Sequence, residues 1–246
     1  MVGGLLVLPA TADTIESFLA LAEAAPEELS TIANVMPAPP LPFLAEEHHG
    51  TLVIFAMLMY RGDAAAGLRA VAPFRAIAAP LVDLLGPMSY PEVYPPEDPS
   101  YHPIGSARTI FVDAIDRRSV QTIVATLTAR MPAFGVSQIR VLGGAMARVP
   151  ADATAFAHRG RRAMISVATL YEHQAEAPTH EAWVERFAAD LRRGPDGAYV
   201  GLLAADGPRR IRAAYPGTTW DRLVAIKRRY DPGNLFHLNQ NIPPAR

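Results

Sequence analysis

The chain has 246 residues, of which 50% are hydrophobic and 19% charged; this excludes a disordered chain, which needs high charge and low hydrophobicity. A net charge of −1 leaves no electrostatic footprint for nucleic acid or an anionic membrane, so neither is expected as a partner. Cysteine is absent, which excludes disulfides, thiolate metal sites, cysteine nucleophiles and iron–sulfur clusters.

Residues 3–8 read as a strand. Thr11 then caps a helix with Ile15, Phe18, Leu19 and Ala22 on one face. Residues 29–36 read as a second strand, followed by a proline-rich loop from Pro37 to Pro42. Residues 51–60 form a strand apolar on both faces, as a central strand is. The helix after Asp63 is expected to kink or break at Pro73. Residues 87–108 hold six prolines and three tyrosines (Tyr90, Tyr94, Tyr101) and are expected to form a rigid loop over a site, because linkers are usually polar.

A strand at 108–113 and a helix capped by Asp116 come next, then strands at 136–142 and 163–171. Thr179 is expected to cap a helix with Trp183, Val184, Phe187, Ala188 and Leu191 facing inward. Residues 198–203 read as a strand, and a last helix runs from Thr219 to Tyr230. No internal repeat is visible. Six or seven strands separated by helices suit a parallel α/β sheet, or a mostly antiparallel sheet with helices on one face. The apolar run at 52–60 is far shorter than the ~20 residues of a spanning helix. The N-terminus lacks a charged n-region, so no signal peptide is expected and the expected location is cytoplasmic.

Glycine-rich nucleotide loops, nucleophile elbows and zinc-protease motifs are all missing. His48-His49 after Glu46-Glu47 reads as an exposed polar loop, since adjacent residues point apart and no second cluster has ligand spacing. Tyr171 and Tyr199 sit on predicted strands, where a buried tyrosine with a bonded hydroxyl is the common arrangement. A phenol titrates near ~10, so a catalytic base at neutral pH needs that value lowered. Gln138, Arg140, Thr169 and Tyr171 are polar strand residues that alternation leaves free to face a cavity.

The C-terminus is denser in order-specific residues. Asp231-Pro232-Gly233-Asn234 is a helix stop and turn. Asn239, Gln240 and Asn241, closed by Pro243 and Pro244, form a strip of donors and acceptors suited to the polar edge of a planar ligand. Within residues 219–244, from Trp220, the chain reads W-x-R-L-x-x-x-K-x-x-Y-D-P-x-N-x-F-x-x-N-Q-N-I-P-P. This pattern resembles the berberine-bridge-enzyme-like segment of FAD-linked oxidases, the berberine bridge enzyme / vanillyl-alcohol oxidase type. The resemblance extends upstream through Val141–Ala145, Thr154–Arg159 and Gly197–Val200, and covers nearly the whole chain.

It implies an α+β fold: a mostly antiparallel sheet covered by helices on one face, of the FAD-linked oxidase substrate-domain type. It also implies a division into a substrate-binding unit, 1–204, and a C-terminal segment, 205–246. By resemblance the cofactor is FAD, held near Asn239, Gln240 and Asn241. The implied reaction is hydride transfer from a small-molecule substrate to the flavin, with Tyr199 or Tyr171 taking the proton and Gln138, Arg140 and Thr169 binding substrate. Many members carry Tyr-Val-Asn-Tyr where this sequence reads Tyr199-Val200-Gly201-Leu202.

The flavin-attachment motif and diphosphate loops of the family have no counterpart here. The chain is therefore expected to be a fragment or one product of a split gene, not retaining FAD alone. Its partner would be an FAD-binding domain or subunit, and the strand at residue 3 would be a cut edge. The alternative is a non-catalytic small-molecule or protein-binding module. Deprived of its partner, the tail beyond Asp231 is expected to be mobile or to drive self-association.

Overall fold

In the computed structural model, which describes residues 1–93, 102–129, 134–203 and 207–245, the chain opens with a β-α-β-β-α run. This run is β1 (Val2–Pro9), α1 (Ala12–Ala24), β2 (Leu29–Pro37), β3 (Leu52–Tyr60) and α2 (Ala64–Arg75). Two short strands, β4 (Val82–Asp83) and β5 (Gly86–Pro87), pair back onto β1. The run then recurs as β6 (Ile104–Val112), α3 (Arg117–Thr128), β7 (Gly135–Val141), β8 (Ala163–Tyr171) and α5 (Ala177–Leu191), with a single helical turn α4 (Gly144–Ala147) after β7. Helices α6 (Gly207–Ala214) and α7 (Thr218–Tyr230) follow.

The strands form one sheet in the order β4-β1-β3-β2-β7-β8-β6, with β5 beside β1. Every pairing is antiparallel. The order β1-β3-β2 mirrors β6-β8-β7 across the β2–β7 seam. The two runs are thus structural repeats, a repetition that the sequence pattern does not reveal. The seam pairs Ala33 with Ile139, Asn34 with Gln138 and Val35 with Ser137.

Side-chain alternation gives the sheet two unlike faces. Leu6, Leu8, Ala33, Val35, Ile54, Leu58, Ile110, Ile139, Ile165 and Val167 bury against the helices in one cluster. Into it α1 sends Ile15 and Phe18, α2 Val71 and Phe74, α3 Val120 and Ile123, and α5 Val184 and Phe187. Phe18 meets Phe74 edge-on at 5.1 Å, and each such buried side chain contributes roughly 1.5–3 kcal/mol. Thr11, Asp63 and Asp116 cap α1, α2 and α3 by accepting backbone N–H groups. The α+β architecture with helices on one face is as the resemblance implied. A smaller cluster of Val7, Ala38, Leu44, Val53 and Val82 covers one end of the other face.

Several boundaries differ from expectation. Helix α2 continues through Pro73 and ends two residues later at Arg75. Helix α5 starts at Ala177, not at a Thr179 cap, because Pro178 suits a first turn, where its missing N–H costs nothing. Strand β6 starts at Ile104, within the stretch read as loop; prolines end at Pro103, and β6 lies at an edge of the sheet, paired among the described residues with β8 alone. Residues 198–203 are not a strand: Val200–Leu202 form a 3-10 turn. Tyr94, Tyr101 and the expected division at 204/205 lie outside the described residues. Among the described residues, no helix is long and apolar enough to cross a membrane.

Candidate functional site

On the face away from the helices, register aligns Phe55, Asn34, Gln138, Ser166 and Thr109 in one row across β3, β2, β7, β8 and β6. Asn34 Nδ2 donates to the Phe55 carbonyl at 3.0 Å. Gln138 Nε2 donates to Asn34 Oδ1 at 2.7 Å. The network orients both amides and turns Gln138 Oε1 into the acceptor at its end. At the far end, Thr109 Oγ1 accepts the Tyr199 backbone N–H at 2.9 Å.

Arg140 lies two residues beyond Gln138 on the same face, opposite Met164, which is paired in turn with Phe111. Its Nη1 is enclosed without a hydrogen-bond partner. Burial pushes its pKa down, and only the nearby Tyr199 phenol acts in the opposite sense. Among the described residues no carboxylate forms an ion pair with it.

Over the β6 end, Phe111 carries His158 stacked at 3.9 Å, and Phe156 meets Tyr199 edge-on at 6.3 Å. Arg210 of α6 fixes this cover, donating to Asp196 at 2.7 Å and to the Thr109 carbonyl at 3.1 Å. Tyr199 itself is 38% exposed. The chain turns there because Gly201 follows: a Cβ at Gly201 would stand 3.0 Å from the Tyr199 ring.

The tail approaches the same end. Gln240 Nε2 donates to the Leu203 carbonyl at 2.7 Å, just past the Tyr199 turn. Asn241 Oδ1 is buried without a partner, and Asn239 takes a left-handed φ of 56°. The Asp231 carboxylate accepts Lys227 Nζ at 2.5 Å, Leu235 N at 2.7 Å and Phe236 N at 3.0 Å. Lys227 holds the Asp231 carboxyl below its ordinary value. Leu235, Phe236 and Leu238 remain at least three-quarters exposed.

Gln138, Arg140 and Tyr199 thus share one face, and Gln240 is tied beside them. Thr169 and Tyr171 do not join them. Their odd positions on β8 point under the helices, where Thr169 Oγ1 bonds the Phe134 carbonyl at 2.6 Å and approaches His180 Nδ1 at 3.0 Å. Tyr171 stacks on His180 at 4.3 Å, with its hydroxyl 3.1 Å from Ser106 Oγ. Both have their hydrogen bonds within the fold, which is a packing role. Asn34, Ser166 and Thr109 belong to the site and escaped sequence reading. Asn34 left one signal, a lone amide in the otherwise apolar second half of its strand.

An FAD ring edge fits the tail amides, where Asn241 Oδ1 is buried without a partner. The Gly143-Gly144 turn does not suit the diphosphate. The Glu27 side chain stands 3.1 Å from where a Gly144 Cβ would be, and its carboxylate is already paired with Arg148 at 2.8 Å.

Comparison with known proteins bears on the fold and on the tail. Residues 198–243 match the family model "Berberine and berberine like". The chain is 33% identical over 110 residues to the uncharacterized FAD-linked oxidoreductase YgaK of Bacillus subtilis (strain 168), covering 44% of this chain and 24% of that one. It is 30% identical over 136 residues to berberine bridge enzyme-like C-1 of Nicotiana tabacum, covering 42% of this chain and 24% of that one. The structure of Physcomitrella patens BBE-like 1 matches 100% of this chain and 54% of its own, at 20% identity and a TM-score of 0.78. The matches span about a quarter of the curated relatives and about half of the solved chain. The chain is thus similar to part of a berberine-bridge-enzyme-type FAD-linked oxidase.

Proposed function

We propose that this chain supplies the substrate-covering part of an FAD-dependent oxidoreductase, and that an FAD-binding domain or subunit meets its open sheet face. The observation carrying this reading is the ordered polar row from Asn34 to Thr109, which ends beside Tyr199 and the family-matched tail. When bound, FAD supplies the acceptor for a hydride from a substrate carbon. This chain's residues do the rest. Gln138 Oε1 accepts a hydrogen bond from the substrate, held in place through Asn34. Tyr199 takes the substrate proton. Asn239, Gln240 and Asn241 hold the ring edge. The cover formed by Phe156, His158 and Tyr199 limits water at that end.

The test joins this chain to the FAD-binding part of a berberine-bridge-type relative. A yellow complex should form, and substrate should bleach its flavin band under anaerobic conditions. Tyr199→Phe should slow bleaching about 100-fold, the scale of one acid–base group, while substrate still binds. Failure to form a complex, or bleaching at the unaltered rate in the variant, would overturn the proposal.

One observation favours the second reading, a non-catalytic binding module. The 3-10 turn at Val200–Leu202 brings only one tyrosine to the face, since Gly201 and Leu202 replace the Asn and Tyr of the family pattern. A stable yellow complex that no substrate in a broad panel bleaches would support it.

A further inference from the structure

The reading that the open face receives substrate leaves the class of substrate undefined, and Arg140 narrows it. A guanidinium removed from water is normally paired with a carboxylate or with several hydrogen-bond acceptors. Arg108 and Arg210, whose side chains are only 13% and 11% exposed, obey this rule, each with a carboxylate partner within 2.8 Å. Arg140 departs from it. Nη1 is enclosed and unpartnered, and no carboxylate pairs with it among the described residues.

Its surroundings are apolar on the sheet: Met164 directly across, and Phe111 beyond, both buried. Gln138 Oε1 stands two residues away on the same face. The planar fork of arginine matches a carboxylate with two parallel N–H···O bonds, a match that a lysine does not reproduce. Met164 and Phe111, its buried apolar neighbours, offer the guanidinium no acceptor of their own.

We propose that Arg140 is a specificity-determining residue that binds the carboxylate of an anionic organic substrate. This rests on the open face being the substrate site, but its test needs no flavin.

Phenylacetate and its neutral isostere phenylacetamide serve as probes on the 246-residue chain, with binding read by ligand-observed NMR and by Tm shift. The acid should bind at least tenfold more tightly than the amide and alone raise Tm. Arg140→Gln should abolish the preference, and Arg140→Lys should restore part of it. Equal binding of acid and amide, or a preference that survives Arg140→Gln, would overturn the proposal. The Tm comparison on the unaltered chain decides the matter even if a variant fails to fold. Loss of flavin partnership would sink the oxidase reading and leave this result standing. The converse also holds, because neutral-ligand preference with intact flavin bleaching would sink only the anion site.

Discussion

Gln138 donates its side-chain N–H to Asn34 Oδ1 at 2.7 Å across the β2–β7 seam, joining residues 104 positions apart. Because Asn34 is anchored in turn to the Phe55 carbonyl, the pair should be energetically coupled. A double-mutant cycle of Asn34→Ala and Gln138→Ala, measured by urea unfolding, should give a coupling of about 0.5–1.5 kcal/mol. Strict additivity would mean that the bond contributes nothing.

That pair also shows what the sequence could and could not reveal. Alternation put Gln138 and Arg140 on one face of β7, and β8 offered Thr169 and Tyr171 as equals. Which face of β8 matched which face of β7 depends on register, and register is a long-range fact. The pairing of Gln138 with Ser166 puts Thr169 under the helices. The lone amide of Asn34 likewise gains meaning only from the register that sets it opposite Gln138. Tyr199 is legible as a residue, but it precedes a turn rather than lying on a strand, because Gly201 favours the turn. The caps at Thr11, Asp63 and Asp116 are legible because capping is local chemistry, whereas Thr179 lies inside α5 and caps nothing. The repeat was not, because the two runs share geometry without sharing residues.

Gly67 sits in α2 where the helix crosses β1. An added Cβ would stand 2.7 Å from Val2 Cγ2 and 3.0 Å from the Tyr60 ring. Replacing a helical glycine by alanine normally gains about 1 kcal/mol. Overpacking against a strand costs about 1–3 kcal/mol. Gly67→Ala should therefore lower stability overall, by on the order of 1 kcal/mol after the propensity gain. A rise in Tm would show that α2 shifts freely.

His158 is buried against Phe111, and burial pushes its pKa below the ordinary 6.5, with Arg161 acting in the same direction and the Ala198 backbone opposing. The unfolded chain then binds the proton more readily than the folded one. Stability should be at its plateau above about 6.5 and fall as pH drops below it. His158→Phe should flatten this part of the stability–pH curve measured by thermal unfolding. An unchanged slope would place the proton uptake elsewhere.

Asp231 organises the tail through Lys227, Leu235 and Phe236. Its carboxyl pKa lies below the ordinary 3.8, so this order is present above that pH and is lost as pH falls through the lowered value. Asp231→Ala should speed amide exchange and proteolysis in residues 231–245 without altering Tm of the sheet. Equal protection in both proteins would mean that the Gln240 link to Leu203 alone holds the segment.

The mirrored order of the sheet has one more consequence. Asn34 and Gln138 occupy matching places on the inner strands of the two β-α-β-β-α runs, at the centre of the seam where the runs meet. The open face therefore has two walls of separate origin, one carried by residues 1–75 and the other by residues 104–191. Substitutions in the first run remodel the apolar wall around Phe55 and Met57. Those in the second tune the charged wall around Arg140, with only the central amide bond in common. Such a site can change what it accepts on one side while keeping its chemistry on the other.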